Sequence, residues 1–342
     1  MSSNDGTASP STSRALWIGL ATGAAALSAA ALYSSGRARR AERETPAIGS
    51  FVTVDDVRLH YIEAGSGPPL VLLHGNGATV QDFLLSGIFD AAAQNYRVIA
   101  FDRPGFGYSE RPRSKVWSAE AQADLLHKAI GMLGASQPIL LGHSWGTMVA
   151  VAMALAHPGA VSALVLLSGY YFATPRADVL LFGPPALPVA GDVLRYTLSP
   201  LAGRALAPTL FKAVFSPREV PDVMAHWPLG LALRPSQIRA AAADAALMVP
   251  GALSISERYG ELGLPTVILA GDGDKIANFD RHSAALHDAV PGSELITVKG
   301  AGHMVHYAEP DTVLAAIDRA HQLATTTAPA GEEVIAAASP SF

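Results

Sequence analysis

The pentapeptide Gly142-His143-Ser144-Trp145-Gly146 sets a serine between two glycines, directly after the apolar run Pro-Ile-Leu-Leu and directly before an Ala/Met/Val-rich segment. A serine at such a strand-to-helix turn is pushed out of the sheet on a strained backbone, and its flanking positions must be small because the two elements approach closely. Serine is a weak nucleophile near neutral pH, so attack on a carbonyl requires a base within hydrogen-bond reach. Of 11 histidines, His303 and His306 lie in Gly-Ala-Gly-His-Met-Val-His-Tyr-Ala-Glu-Pro, after the final apolar run Glu-Leu-Ile-Thr-Val. His303 stands in the loop itself and is the expected base; His306, one helical turn on, faces the closing helix and is the alternative. An acid must accept a hydrogen bond from the far imidazole nitrogen. Gly271-Asp272-Gly273-Asp274, after Pro-Thr-Val-Ile-Leu-Ala, offers Asp272 and Asp274. The N–H of Trp145, at the start of the following helix, points outward to meet negative charge developing on a carbonyl oxygen. The chemistry these residues spell is acyl transfer through a serine.

Residues so far apart in the chain need a scaffold that gathers loops at one edge. Ser50 to Gly65 alternates apolar and β-branched residues on both sides of Asp55-Asp56 and reads as a hairpin. The runs PLVLL, YRVIAF, PILL, ALVLL, PTVILA and ELITV are continuously apolar, as expected of strands buried on both faces of a parallel sheet. Between them, Ser118–Leu133 and Trp145–His157 carry helical spacing and helix-end signals. Strand and helix alternate, which predicts a doubly wound, mostly parallel α/β domain whose functional loops lie at the carboxyl ends of the strands. From Tyr171 to Pro250 no strand is evident, and 11 of the 24 prolines fall in those 80 residues. Prolines at that density predict short helices, forming a lid over residues 171–255 inserted before the last two strands.

From Phe51 to Leu323 the chain resembles the α/β-hydrolase family. The resemblance rests on ordered blocks: His74-Gly75-Asn76-Gly77, similar to the family's oxyanion loop; Asp102 to Ser109, similar to its D-x-P-G-x-G-x-S turn; the serine pentapeptide; GDGD; and GAGH. It implies that the acid is Asp274, three residues after Gly271, with Asp272 as the competitor that caps the turn. It also implies that the N–H of Asn76 is the second oxyanion donor, that the Asn76 side chain helps shape the acyl pocket, and that no metal or organic cofactor is required. The run Ala-Leu-Val-Leu-Leu is followed by Ser168, Gly169 and Tyr170 with no carboxylate before Asp178, which closes a variant position for the acid. Asp102 precedes Arg-Pro-Gly-Phe-Gly and reads as part of a structural turn. His74 and His143, inside backbone motifs, read as structural hydrogen-bonders. The activity implied is hydrolysis of a carboxylic ester through an acyl-enzyme. Members with the same triad also cleave carbon–carbon bonds or form peracids, and a non-catalytic receptor can keep the triad as a ligand pocket. Epoxide hydrolases and haloalkane dehalogenases of this family place an aspartate where this chain has Ser144.

Lid side chains that include Tyr170, Phe172 and Trp227 predict an apolar pocket for a small-molecule, lipid-like ester. Net charge is −5 and the isoelectric point about 6.1, so no overall basic field exists to hold nucleic acid. The absence of cysteine excludes disulfides, a thiol nucleophile and thiolate metal sites. Residues 1–14 read as a disordered leader. Ala15 to Tyr33 is an uncharged 19-residue stretch, within the span of about 17 to 25 residues that crosses a bilayer. Arg37, Arg39, Arg40 and Arg43 follow it, which as a membrane anchor leaves the catalytic part on the cytoplasmic side. A cleaved export signal and a water-soluble Ala-rich helix are the alternatives. The resulting division is 1–44 for leader and anchor, 45–324 for the hydrolase domain and 325–342 for a flexible tail.

Overall fold

A computed structural model describes residues 10–327; residues 1–9 of the expected leader and 328–342 of the expected tail lie outside that range. Asp55 and Asp56 both take positive φ, 47° and 61°, the pair of left-handed residues that a two-residue hairpin turn matching strand twist needs. They join β1 (Ser50–Val54) to β2 (Val57–Ala64), antiparallel with Val54 opposite Val57. β3 (Pro69–Leu73), β4 (Arg97–Phe101), β5 (Ile139–His143), β6 (Ala163–Leu167), β7 (Thr266–Gly271) and β8 (Glu294–Val298) complete an eight-stranded sheet in the order β1-β2-β4-β3-β5-β6-β7-β8. From β4 to β8 every neighbouring pair is parallel, as the continuous apolar runs require. Successive residues serve opposite faces: Leu70 and Leu72 enter one core, Val71 and Leu73 the other.

In chain order the helices are α1 (Pro10–Glu44), α2 (Gln81–Leu85), α3 (Ile88–Ala92), α4 (Ala119–Met132) and α5 (Trp145–Ala156). Between β6 and β7 stand α6 (Ala177–Phe182), α7 (Ala190–Tyr196), α8 (Leu198–Phe215), α9 (Leu229–Ala232) and α10 (Pro235–Ser256). The chain closes with α11 (Ala285–Ala289), α12 (Val305–Ala308) and α13 (Pro310–Thr327). α4, α5 and the end of α10 cover one core, and α3, α12 and α13 the other. Ser118 caps α4 by accepting from the Ala121 N–H. The segment between the strands is helical, but α8 and α10 run to 18 and 22 residues, longer than the proline density predicts. Pro235 opens α10, where no N–H is needed, while Pro208 and Pro250 sit inside their helices. Burial of one face of α10, including Ala240, Ala245, Met248 and Ala252, outweighs the lost bond.

The N-terminal helix is also longer than residues 15–33. It starts at Pro10, within the expected leader, and continues past Tyr33 through the Arg- and Glu-containing stretch to Glu44. Ala, Arg and Glu are strong helix formers, and an Arg40–Glu44 pair at 2.6 Å spans one turn. Ala41 is buried against Gly230 of α9, and α1 packs on α7, α9 and α10. At the other end α13 extends to Thr327, past the start of the expected tail.

Candidate active site

The elbow forms because two glycines permit it. A Cβ on Gly146 would collide with the Leu73 carbonyl of β3, and one on Gly142 would sit 2.7 Å from the Gly146 backbone. Ser144 between them holds φ 52°, ψ −119°, a strained conformation that costs about 1–3 kcal/mol and survives only where the surroundings fix it. They do so here. The Ser144 N–H donates to Leu167 O at 2.9 Å, and the Thr147 N–H donates to Ser144 O at 3.0 Å. The result leaves Ser144 partly exposed among buried neighbours.

Two loops from neighbouring strand ends converge on this hydroxyl. His303 Nε2 lies 2.9 Å from Ser144 Oγ, and His303 Nδ1 lies 2.8 Å from Asp274 Oδ2. In the tautomer with Nδ1 protonated toward the carboxylate, Nε2 is an acceptor placed to take a proton from the serine hydroxyl. The other Asp274 oxygen accepts the N–H groups of Ile276 and Ala277 at 2.7 and 3.0 Å, so the carboxylate cannot turn away. The His303 N–H donates to Val214 O of α8 at 3.0 Å, and its carbonyl accepts from His143 Nε2 at 3.2 Å. The lid and the elbow thus both grip the histidine loop.

The remaining candidates separate cleanly. Asp272 Oδ1 accepts the Gly300 N–H at 2.7 Å, the capping role, and takes no part near Ser144. Asp102 is buried and ties the turn together, accepting from the N–H groups of Val80 (2.8 Å) and Tyr108 (3.0 Å) and facing His60 Nδ1 at 2.6 Å. His306 is buried beside Asp82, with Nε2 3.2 Å from Oδ2, and its ring lies tilted against that of His143, centroids 4.4 Å apart, rather than reaching the serine. Asp82, His143 and His306 each present a ligand atom within 4.8 Å of the others, the set with metal-ligand chemistry among the described residues. Burial first, and then the neighbouring His306 and His303, push the His143 pKa well below its ordinary value.

Gly75 packs directly on the elbow: a Cβ there would stand 3.1 Å from Ser144 Cβ. The next N–H, that of Asn76, donates to no acceptor among the described residues, and Trp145 is the first residue of α5, so its N–H lacks an intrahelical partner. The Asn76 side chain is not free in a pocket: Nδ2 donates to Ala241 O of α10 at 3.0 Å. Of the pocket candidates, Tyr170 is buried, its hydroxyl bonded to Thr174 and its ring 4.4 Å from His282, and Phe172 packs edge-on against Tyr259. Trp227 instead joins Phe211, Phe215, Met224 and Met304, the last adjoining His303.

One positioning residue stands at the variable position of the Asp102–Ser109 turn, where the motif assigns it no role. Arg103, fully buried, donates to His74 O (2.7 Å), Gly75 O (3.1 Å), Gln122 Oε1 (2.9 Å) and Asp244 Oδ2 (2.8 Å). It lies over the Trp145 ring, whose Nε1–H donates to Asp244 O at 3.0 Å. The lone carboxylate in Ala-Ala-Ala-Ala-Asp-Ala-Ala-Leu-Met was the available sequence signal, since an isolated charge in an apolar helix is buried only with a partner.

A sequence profile for the alpha/beta hydrolase fold matches residues 68–310. The chain belongs to the α/β-hydrolase family. Haloalkane dehalogenase 2 of Mycobacterium tuberculosis is 27% identical over 272 residues, 76% of this chain and 90% of that protein. A solved thermophilic esterase from Thermogutta terrifontis superposes with a TM-score of 0.67 at 22% identity, covering 81% of this chain and 99% of its own. A bacterial membrane phospholipase A superposes at 0.62 and 21% identity, covering 91% of this chain and 98% of its own.

Proposed function

We propose that this hydrolase is a serine esterase that cleaves an apolar, lipid-like carboxylic ester through an acyl-enzyme on Ser144. The observation that carries the reading is the unbroken hydrogen-bond chain from Ser144 Oγ through His303 to Asp274, 2.9 and 2.8 Å per link, at a serine held exposed by backbone strain. Ser144 Oγ attacks the ester carbonyl as His303 Nε2 takes its proton. The carbonyl oxygen becomes an oxyanion and accepts from the Asn76 and Trp145 N–H groups. Collapse breaks the bond to the alcohol, which leaves with the proton from His303. Water, deprotonated by the same imidazole, then attacks the acyl carbon, and the carboxylic acid departs as Ser144 recovers its hydrogen. Asp274 stabilises the imidazolium in both halves.

Halide displacement, the activity named for the dehalogenase relative, requires a carboxylate at the elbow, and this chain has a hydroxyl there. The apolar cluster of Trp227, Phe211 and Met224 beside Met304 supports an acyl pocket beneath the lid at that point. The apolar length of α1, with a mean hydropathy of 1.3 and little of it buried, supports anchoring at a membrane with the hydrolase domain on the cytoplasmic side. Turnover of a chain-length series of chromogenic esters tests the reading. Activity rising beyond acetate and abolished by Ser144→Ala is expected; a flat series, or halide release from haloalkanes instead, contradicts it.

A further inference from the structure

On the face of α10 that carries Ser236 and Arg239, a cavity of about 620 Å³ opens between the Asp102–Ser109 turn, the end of α1 and the start of α10. Four arginines line it, Arg58, Arg111, Arg234 and Arg239, against two carboxylates, Glu42 and Glu110, a surplus of two positive charges. Glu42 is taken by Arg234 at 2.8 Å, and Glu110 lies 3.9 Å from Arg58. Arg111 shares its carboxylate, Asp244, with Arg103, each at 2.8 Å. Arg239 has no carboxylate within ion-pair distance among the described residues; its guanidinium donates only to Arg111 O at 3.4 Å. Further out, Arg113 and Arg195 share Asp192. Burial first, and then Arg113, Arg111 and Arg195, lower the pKa of Arg239. In a chain of net charge −5, Arg111 and Arg234 are held by structural bonds to Asp244 and Pro104 O and to Glu42 and Leu231 O, while Arg239 and the surplus of positive charge along the cavity have no such use in the fold.

We infer that the cavity is a binding site for a phosphate-bearing anion. Guanidinium forks match phosphate oxygens in pairs, and Ser236 lies in the first turn of the 22-residue α10, at the positive end of its dipole. Two sources supply this chemistry, a soluble phosphate ester or the headgroup of an anionic phospholipid. Glu42, on the cavity wall, stands nine residues beyond Tyr33, the end of the uncharged stretch, or about 14 Å along the helix. With α1 embedded upright that lies past the headgroup layer of about 5–8 Å per leaflet, and the phosphate site itself does not depend on the embedding.

Calorimetric titration of the full-length protein in uncharged detergent, at matched ionic strength with chloride as control, uses three probes: inorganic phosphate, glycerol phosphate and short-chain phosphatidylglycerol. Saturable binding is expected, with Arg239→Gln weakening it about tenfold or more and Arg239→Lys weakening it less. Binding by all three probes identifies the soluble class; binding by the phospholipid alone identifies the headgroup. No saturable binding of any probe, or affinity unchanged in Arg239→Gln, overturns the site.

Discussion

At the scale of single residues, the reactivity of Ser144 is set by where its proton can go. Replacing Asp274 with Asn keeps the shape of the site but presents a donor to Nδ1, so the imidazole carries its proton on the wrong side; kcat should fall about 10⁴-fold with folding intact. A fall of less than tenfold would assign the acid elsewhere. His306→Gln, by contrast, should retain most of the turnover per folded molecule, because His306 faces Asp82 and not Ser144. Histidines also set the acid limit of the fold. Burial, then Arg103, holds His74 at about 4; burial, then Arg176, does the same for His282; and His143 lies well below its ordinary value. Each takes up a proton near 6.5 only when unfolded, so their stabilisation is complete above that pH and is lost as pH falls toward about 4. Each contributes a slope of about 1.4 kcal/mol per pH unit in that window. Burial alone would lower the His60 pKa, but its hydrogen bond and charge with Asp102 outweigh that and raise it, so its contribution is complete below about 6.5 and is lost only as pH rises, leaving the acid slope to the other three. The denaturant midpoint should therefore drop between about pH 6.5 and pH 5; a rise would contradict the neutral state of these histidines.

At the scale of elements, α10 is both the floor of the lid and the clamp on the His74–Asn76 loop and the elbow. Its carbonyls at Ala241 and Asp244 hold Asn76 and Trp145, and its carboxylate holds Arg103. Asp244→Ala strands two guanidinium groups, one of them wholly buried, and should cost about 3–5 kcal/mol, measured by chemical denaturation. A loss below about 1 kcal/mol would mean the network is solvated. This network marks the limit of what the sequence discloses. Ser144, His303 and the two aspartates at 272 and 274 are legible because each sits in a short local pattern after an apolar strand, and strand carboxyl ends share an edge in a parallel sheet. Arg103 and Asp244 are 141 residues apart, and their pairing depends on how the lid settles on the body, which no local pattern encodes. The same holds for Tyr170 and Phe172. Aromatic character marks them for a pocket wall, and the contacts with His282 and Tyr259 that fix their rings come from distant segments. The carboxyl-terminal end of α1 lies beyond the uncharged stretch for a related reason: the charged stretch continues the helix because Glu42 and Ala41 find partners on the lid.

At the scale of the whole molecule, α1 docks through its last turns on α7, α9 and α10 while Trp17, Ile18, Leu20 and Leu32 remain exposed. A membrane-anchored enzyme should lose membrane association when residues 1–33 are removed and keep turnover of a water-soluble ester. Full-length protein recovered in the soluble fraction would contradict the anchor without touching the chemistry. The chemistry itself is tested most directly by reacting the full-length protein with a fluorophosphonate and mapping the modified residue by peptide mass spectrometry. One adduct on Ser144, lost when His303 is replaced by Gln, is the predicted result; an adduct on another serine, or labelling indifferent to His303, would contradict the account.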